Sequence, residues 1–212
     1  MVESFTCAPA RPLPVQARSR ARVERVLDAT TALIEAHGVD AVAISDIAAR
    51  SGVTPASIYR YFPDKIAIIA TLAERHSAHS RACVEAGFDT VRSPDDLVPA
   101  AQAMLLGYQG VFDHVPGARA IWQATQADPR LQALDRDEVE AHARTIARAV
   151  NRALPQVDAD EALAMGRLVT GIVGAAVRGA AALPPEEGLH LITLCRDVVL
   201  PPTLTQFVAR VR

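Results

Sequence analysis

Cysteine, lysine and long apolar runs are the scarce features of this chain. Its 212 residues contain three cysteines, Cys7, Cys83 and Cys195. An odd number, so widely spaced, excludes a small disulfide-framed domain and fits a reducing compartment. Lys65 is the one lysine, against 21 arginines, a bias that points to a GC-rich genome rather than to a function. The most apolar stretch, 168–177, runs at once into Arg178 and is too short to span a bilayer. The first residues lack a positive start followed by an apolar run, so no secretory leader is read there. We therefore expect a cytoplasmic protein with no membrane partner. Alternating β-branched runs are few, which argues against a sheet. There is no phosphate-cradling glycine loop, no nucleophile elbow and no HExxH zinc pair. Acidic pairs such as Asp95-Asp96, Asp137-Glu138 and Glu186-Glu187 fall at helix starts or exposed turns, where they suit the helix dipole. No catalytic residue, no cofactor and no enzymatic activity is expected.

What is present is helix. Half of the residues are hydrophobic, and alanine dominates them, which favours helix. The chain is long enough for one or two domains with a real core. Its net charge of −2 divides unevenly: residues 1–75 carry nine basic and eight acidic side chains, residues 76–212 thirteen and sixteen. Residues 1–17, with Pro9, Pro12 and Pro14, read as a disordered arm. Arg18, Arg20, Arg22 and Arg25 follow, either as a basic arm for phosphates or a minor groove or as a solvated helix start. Arg22–Ala36 is amphipathic, with Val23, Val26, Leu27, Ala29, Leu33 and Ile34 as its inward stripe and Gly38 as its stop. A longer helix is expected from Asp64 to about Ala86, broken at Gly87. Further helices are expected over Pro94–His114, Ala118–Ala127, Leu131–Leu154 (one helix or two joined near Asp135), Asp158–Leu183 and Glu186–Val211, with Pro201-Pro202 kinking or interrupting the last.

The most informative stretch is 44–62, ISDIAARSGVTPASIYRYF. Gly52 marks a tight turn between two short helices. Ala48, four residues earlier, is small enough for them to cross closely, and Ile47, Val53 and Ile58 are apolar at inward positions. This is the layout of a helix-turn-helix, whose second helix enters the major groove of DNA. Thr54 is a natural N-cap for that helix and Pro55 sits at its first position, where a missing N–H costs nothing. Ser45 is placed to cap the preceding helix. At about 100° per residue, Ile58 and Phe62 share the inward face, while Ala56, Ser57 and Arg60 share the outward one with Tyr59 on its flank. Ser57 and Arg60 can bond base edges or phosphate, Ala56 can rest on a thymine methyl, and the hydroxyls of Tyr59 and Tyr61 suit phosphate oxygens. Lys65 adds a cation at the first turn of the next helix, beside backbone N–H groups that also favour anions.

Residues 22–68 resemble the DNA-binding domain of the tetracycline-repressor (TetR) family. The resemblance rests on the first helix, Gly38, the helix-turn-helix, the Tyr59–Phe62 block and Asp64-Lys65, in order. Ala56 stands where many members have glycine, and Ile66 where many have glutamate. The resemblance implies an all-α protein: an N-terminal three-helix DNA-binding domain (18–64) and a C-terminal helical domain for effector binding and dimerisation (65–212). It also implies a homodimeric, ligand-responsive transcriptional regulator, usually a repressor. The expected partners are a double-stranded, palindromic DNA operator and a small apolar or amphiphilic effector that releases the protein from it.

Small residues at 166, 171, 174, 175 and 179 let helices approach closely, and the helix that carries them is apolar on most of its circumference. It is read either as the core helix of a monomer or as an isologous dimer interface through Val169, Ile172, Val173, Ala176 and Val177. The family resemblance suggests an effector pocket among the central helices. Met104, Tyr108, Phe112, Arg119, Trp122 and Met165 are its candidate lining, with Ile121 and Gln123 close by in sequence, since such sites are mostly apolar with a few placed polar groups. His76, His79 and Cys83 fall at i, i+3 and i+7 of one helix, a spacing that also suits a soft transition metal. Without an identifiable fourth ligand no metal is assigned.

Overall fold

In the computed structural model, residues 15–211 are described; the expected disordered arm lies mostly outside them, and 15–17 are already helical. Every element among the described residues is helical. The chain divides into two compact units, the first ending at Lys65 and the second beginning at Ile66.

The first unit contains α1 (Val15–His37), α2 (Ile44–Ser51) and α3 (Pro55–Tyr59). Helix α1 closes at Gly38, whose N–H bonds to the carbonyl of Ile34 at 2.8 Å. Val26, Leu27 and Ile34 of α1, Ile47 of α2, and Val53, Ile58 and Phe62 around α3 are buried. Each such side chain contributes about 1.5–3 kcal/mol relative to exposure. A five-residue helix is unstable alone, so α3 exists because this core takes up Ile58 and Phe62. Gly52 closes α2 with φ +64, its N–H returning to the carbonyl of Ala48 at 3.1 Å. Only glycine adopts that left-handed turn without strain.

The second unit is built from α4 (Lys65–Asp89, its first residue belonging to the first unit), a 3₁₀ turn (Pro94–Asp96), α5 (Leu97–His114), α6 (Ala118–Ala127), α7 (Pro129–Ala153), α8 (Ala159–Ala181), α9 (Pro185–Leu194), a π-helical turn (Cys195–Val199) and α10 (Leu200–Val211). Helix α4 runs through Gly87 rather than ending there. An interior glycine costs about 1 kcal/mol, and burial of Val84 and Phe88 on either side of it offsets that. Helix α7 is a single element, capped by the Asp128 carboxylate on the Arg130 N–H at 2.8 Å. Pro201 and Pro202 do not break the C-terminal segment. The π turn before them absorbs the mismatch, with the Leu200 N–H reaching back to Cys195, and α10 then continues.

Helices α7 and α8 pack through backbone contact. A Cβ on Gly166 would lie 2.2 Å from the carbonyl oxygen of Ala143, so only glycine permits this crossing. Here the small residue serves the chain's own fold. Val169, Val173, Ala176 and Val177 are likewise buried in the core of this unit, together with Ile146, Val150, Leu200 and Phe207. They are therefore not free to form a dimer contact, which corrects their assignment above; Ile172, only partly buried, is the exception. Helix α8 has the length and hydropathy of a membrane span, and the burial of this apolar stripe explains that hydropathy.

Candidate functional site

The start of α3 follows its sequence chemistry. The Thr54 hydroxyl accepts the Ser57 N–H at 3.3 Å and donates to Ser57 Oγ at 3.1 Å, and Pro55 occupies the first helical position. Ala56, Tyr59 and Arg60 are exposed, Tyr59 by 54%, and Ser57 is half-buried, while Ile58 and Phe62 face inward. The polar face of α3 is thus open to solvent, as a groove-reading helix requires.

Three flanking residues stand differently from expectation. Ser45 lies inside α2, exposed, and does not cap it. The cap position is Ala43, whose N–H bonds to Asp46 Oδ2 at 3.1 Å. Tyr61 is held within the unit: its hydroxyl bonds to Ser19 Oγ of α1 at 3.2 Å and receives a bond from Arg60 Nη2 at 2.7 Å. The Arg60 guanidinium also lies 5.0 Å from the Tyr61 ring centre. The hydrogen-bond contacts with Ser19 and then Arg60 pull the Tyr61 phenol down to about 8. Lys65 Nζ donates to the carbonyls of Val39 at 2.9 Å and Asp40 at 3.4 Å. Its charge is engaged by the α1–α2 connection rather than offered to a ligand.

In the second unit, α4, α5, α7 and α8 enclose a cavity of about 180 Å³. An engineered apolar cavity of ~150 Å³ accepts benzene, so the space suits a small organic molecule. Val84, Phe88, Met104, Val139 and Val173 give it apolar walls. A smaller cavity of about 70 Å³ adjoins it, walled by Phe112, Ile121, Trp122 and Leu134, and the two share Tyr108, Asp135 and Glu138. Tyr108, Phe112 and Trp122 form an edge-on row, with ring centres 5.3 and 5.9 Å apart. The Arg178 guanidinium lies 5.9 Å from the Trp122 ring centre. Burial, and then the Asp135 carboxylate, push the Tyr108 phenol up to about 12, so it stays a hydroxyl donor.

On the α7 side the polar groups are knitted together. Glu138 Oε2 accepts from Arg81 Nη1 at 2.8 Å. Glu138 Oε1 lies 3.1 Å from His142 Nε2, which is also 3.3 Å from Ser80 Oγ. Of the residues expected to line a pocket, Met104, Tyr108, Phe112 and Trp122 do so. Arg119 does not: it is exposed and its guanidinium donates to the carbonyl of Ala181 at 3.0 Å. Met165 is packed into the core instead, and Gln123 is exposed. The charged lining is Arg178, Asp135 and Glu138, none of them foreseen. The signals were available as Arg178 ending an apolar helix and as Glu138 and His142 at i, i+4 of α7. Cys83 Sγ and His79 Nε2 meet at 3.7 Å on the cavity rim, while His76 faces the smaller cavity. Burial, and then His79, hold the His76 imidazole below its usual range. Among the described residues no three His, Cys, Asp or Glu side chains converge as metal ligands.

A capped helix-turn-helix ahead of an all-helical unit with an internal cavity places the chain among helix-turn-helix transcription regulators. The family described as "Bacterial regulatory proteins, tetR family" matches residues 26–72, and "Tetracyclin repressor-like, C-terminal domain" matches residues 95–205. The chain belongs to the TetR family. No curated protein matches it. Among solved structures it is similar to a TetR-family transcriptional regulator from Streptomyces coelicolor, at 20% identity and TM-score 0.67 over 90% of this chain and 99% of that one. It is similar to SmeT, solved as a complex with triclosan, at 23% identity and TM-score 0.65 over 88% and 91% of the two chains. It is also similar to the transcriptional regulator FadR from Bacillus subtilis, solved with stearoyl-CoA, at 14% identity and TM-score 0.60 over 86% and 97%.

Proposed function

We propose that this protein is a cytoplasmic homodimeric repressor that holds a palindromic operator through the polar face of α3 and leaves it when a small apolar or amphiphilic molecule fills the cavity. One observation carries the reading. Helix α4 starts at Lys65, three residues after Phe62, and the same helix supplies Ser80, Val84 and Phe88 to the cavity wall. A ligand that prefers one position of α4 biases the spacing of two recognition helices, and DNA affinity changes by the ligand's differential affinity for the two states. That two similar regulators are solved with triclosan and with stearoyl-CoA supports an effector with a large apolar part.

The twofold contact is better served by the apolar side chains that the chain leaves open. Leu168 of α8 is 48% exposed, next to the exposed Gly171 and Ala175, and Leu194, Val198 and Val199 are exposed at the end of α9 and in the π turn. An apolar face of this kind marks an interaction site.

The test is selection of bound fragments from genomic DNA by the purified full chain, followed by a mobility shift on the recovered fragment in the presence of small apolar molecules. Recovery of a discrete inverted repeat, and its release by at least one compound that also raises the melting temperature of the free protein, is the expected result. Failure to enrich any sequence over random DNA would overturn the DNA-binding part. Release without thermal stabilisation of the protein would overturn the cavity's role.

A further inference from the structure

Along one stripe of α8, Thr170, Gly174 and Arg178 follow at intervals of four, and all three line the larger cavity. The Arg178 side chain runs back over Gly174: a Cβ there would come within 2.6 Å of Nη1. The glycine thus makes the groove in which the guanidinium lies. Among the described residues no carboxylate forms an ion pair with Arg178. Its guanidinium lies over the face of Trp122, a contact that leaves the N–H fork unspent. Two further donors nearby lack acceptors: Thr170 Oγ1, on a residue only 6% exposed, and Trp122 Nε1 are buried without hydrogen-bond partners. Tyr108, kept protonated and lining both cavities, adds a fourth hydroxyl or N–H.

Acceptors are differently placed. Glu138 Oε2 is engaged by Arg81, while Oε1, 3.1 Å from His142 Nε2, is buried without a hydrogen bond. Asp135, on α7, is the one lining carboxylate that makes no hydrogen bond or ion pair among the described residues. Arg178, Thr170, Trp122 and Tyr108 thus offer more unspent donors than Asp135 and Glu138 Oε1 offer unspent acceptors. A buried donor left unmade is costly, and a guanidinium matches a carboxylate with two parallel bonds.

We infer that the effector carries a carboxylate, paired with Arg178 over Gly174, with its apolar body against Phe88, Met104 and Val173. This rests on the reading of the cavity as the effector site and gives that effector its charge. Asp135 opposes the anion from the facing helix, so it confines the carboxylate to the α8 side. It would attract an amine instead, which is the rival outcome.

The experiment titrates the purified full chain with three compounds that differ only in the head group, 3-phenylpropionate, 3-phenylpropanol and 3-phenylpropylamine. Binding is read by calorimetry and by fluorescence of Trp122, the one tryptophan in the sequence. The acid is expected to bind about tenfold or more tightly than the alcohol, as a charge-assisted pair requires, and more tightly still than the amine. Arg178→Met should bring the acid down to about the level of the alcohol, with folding of the variant checked by its helix content and thermal midpoint. Gly174→Ala keeps the charge but places a methyl where the guanidinium lies, so the arginine must shift and the acid's advantage over the alcohol should shrink. Asp135→Asn should tighten the acid and weaken the amine. An alcohol or amine that binds as well as the acid, or an advantage of the acid that survives Arg178→Met, overturns the inference while the cavity stands as a ligand site. If none of the three binds at roughly millimolar concentration, both the inference and the underlying reading of the cavity fall.

Discussion

Lys65 Nζ and the carbonyl oxygen of Val39 are 2.9 Å apart, and the next carbonyl, that of Asp40, is 3.4 Å from the same nitrogen. The ammonium group at the head of α4 thus fastens the connection between α1 and α2, spending two of its three donors inside the protein. Lys65→Met should remove about 1.5–3 kcal/mol of stability, the range of hydrogen bonds to a charged group, visible as a lower thermal midpoint. It should leave the dependence of operator affinity on salt untouched. If Lys65 instead neutralised a phosphate, the slope of log affinity against log salt would become shallower by about one.

If the exposed face of α3 meets DNA as proposed, Ser57 and Arg60 can reach base edges while Tyr59 offers only a phosphate contact. Ser57→Ala and Arg60→Ala should shift which bases the protein prefers, with a penalty at a matched site of about 1–3 kcal/mol for a lost bidentate arginine contact. Tyr59→Phe keeps the ring and removes one hydroxyl, so it should weaken all sequences alike. Binding to a randomised operator library before and after each substitution separates the two behaviours. Should all three variants keep the parent's affinity and preference, some other surface touches DNA.

How far the sequence spoke depended on whether the deciding contact was local. Thr54, Pro55, Gly52 and Ile58 act within a few residues of one another, and each stands as read. Ser45 and Asp46 are adjacent and both can cap; which one does so depends on where α2 begins, set by the burial of Val42 and Ile47 at a distance. Val169, Val173 and Val177 make a helix that must be covered, but periodicity cannot tell cover by α7 from cover by a second chain. The aromatic row at Tyr108, Phe112 and Trp122 was legible because its members share helix faces. Arg119 and Arg178 were not separable: each is an arginine among apolar neighbours, and only the fold sends one to the Ala181 carbonyl and the other over Trp122.

Tyr61 gives the DNA-binding unit a pH response. Its hydrogen-bond contacts, with Ser19 and then with the Arg60 guanidinium, lower the pKa from the ordinary value of 10 to about 8. For an acid lowered in this way, the stabilisation is complete above the unfolded value and is lost as pH falls through the folded one. Stability should therefore rise between pH 8 and 10 relative to Tyr61→Phe. Operator affinity should move the opposite way, since a phenolate beside the reading helix repels phosphate. Anisotropy titrations on a labelled operator fragment at pH 7 and pH 9 should show the parent losing more affinity than Tyr61→Phe. Equal losses would remove Tyr61 from the response.

Two sets of substitutions on the C-terminal helices should part company. Leu168 is 48% and Val198 60% exposed, whereas Val173 is fully buried in the unit's own core. A carboxylate at an exposed position costs a monomer little, but in an isologous contact the change is buried twice, once on each subunit, and both charges lose water. Leu168→Asp and Val198→Asp should therefore give folded monomers in sedimentation experiments, with helix content and cavity intact and with operator affinity lost, because single heads bind half-sites weakly. Val173→Ala removes two buried methyl groups and leaves a void; it should cost about 1–3 kcal/mol of folding stability while the subunits still pair. If the aspartate variants sediment like the parent, the twofold contact lies elsewhere on the molecule. If Val173→Ala dissociates it without loss of stability, the core and interface assignments of α8 must be exchanged.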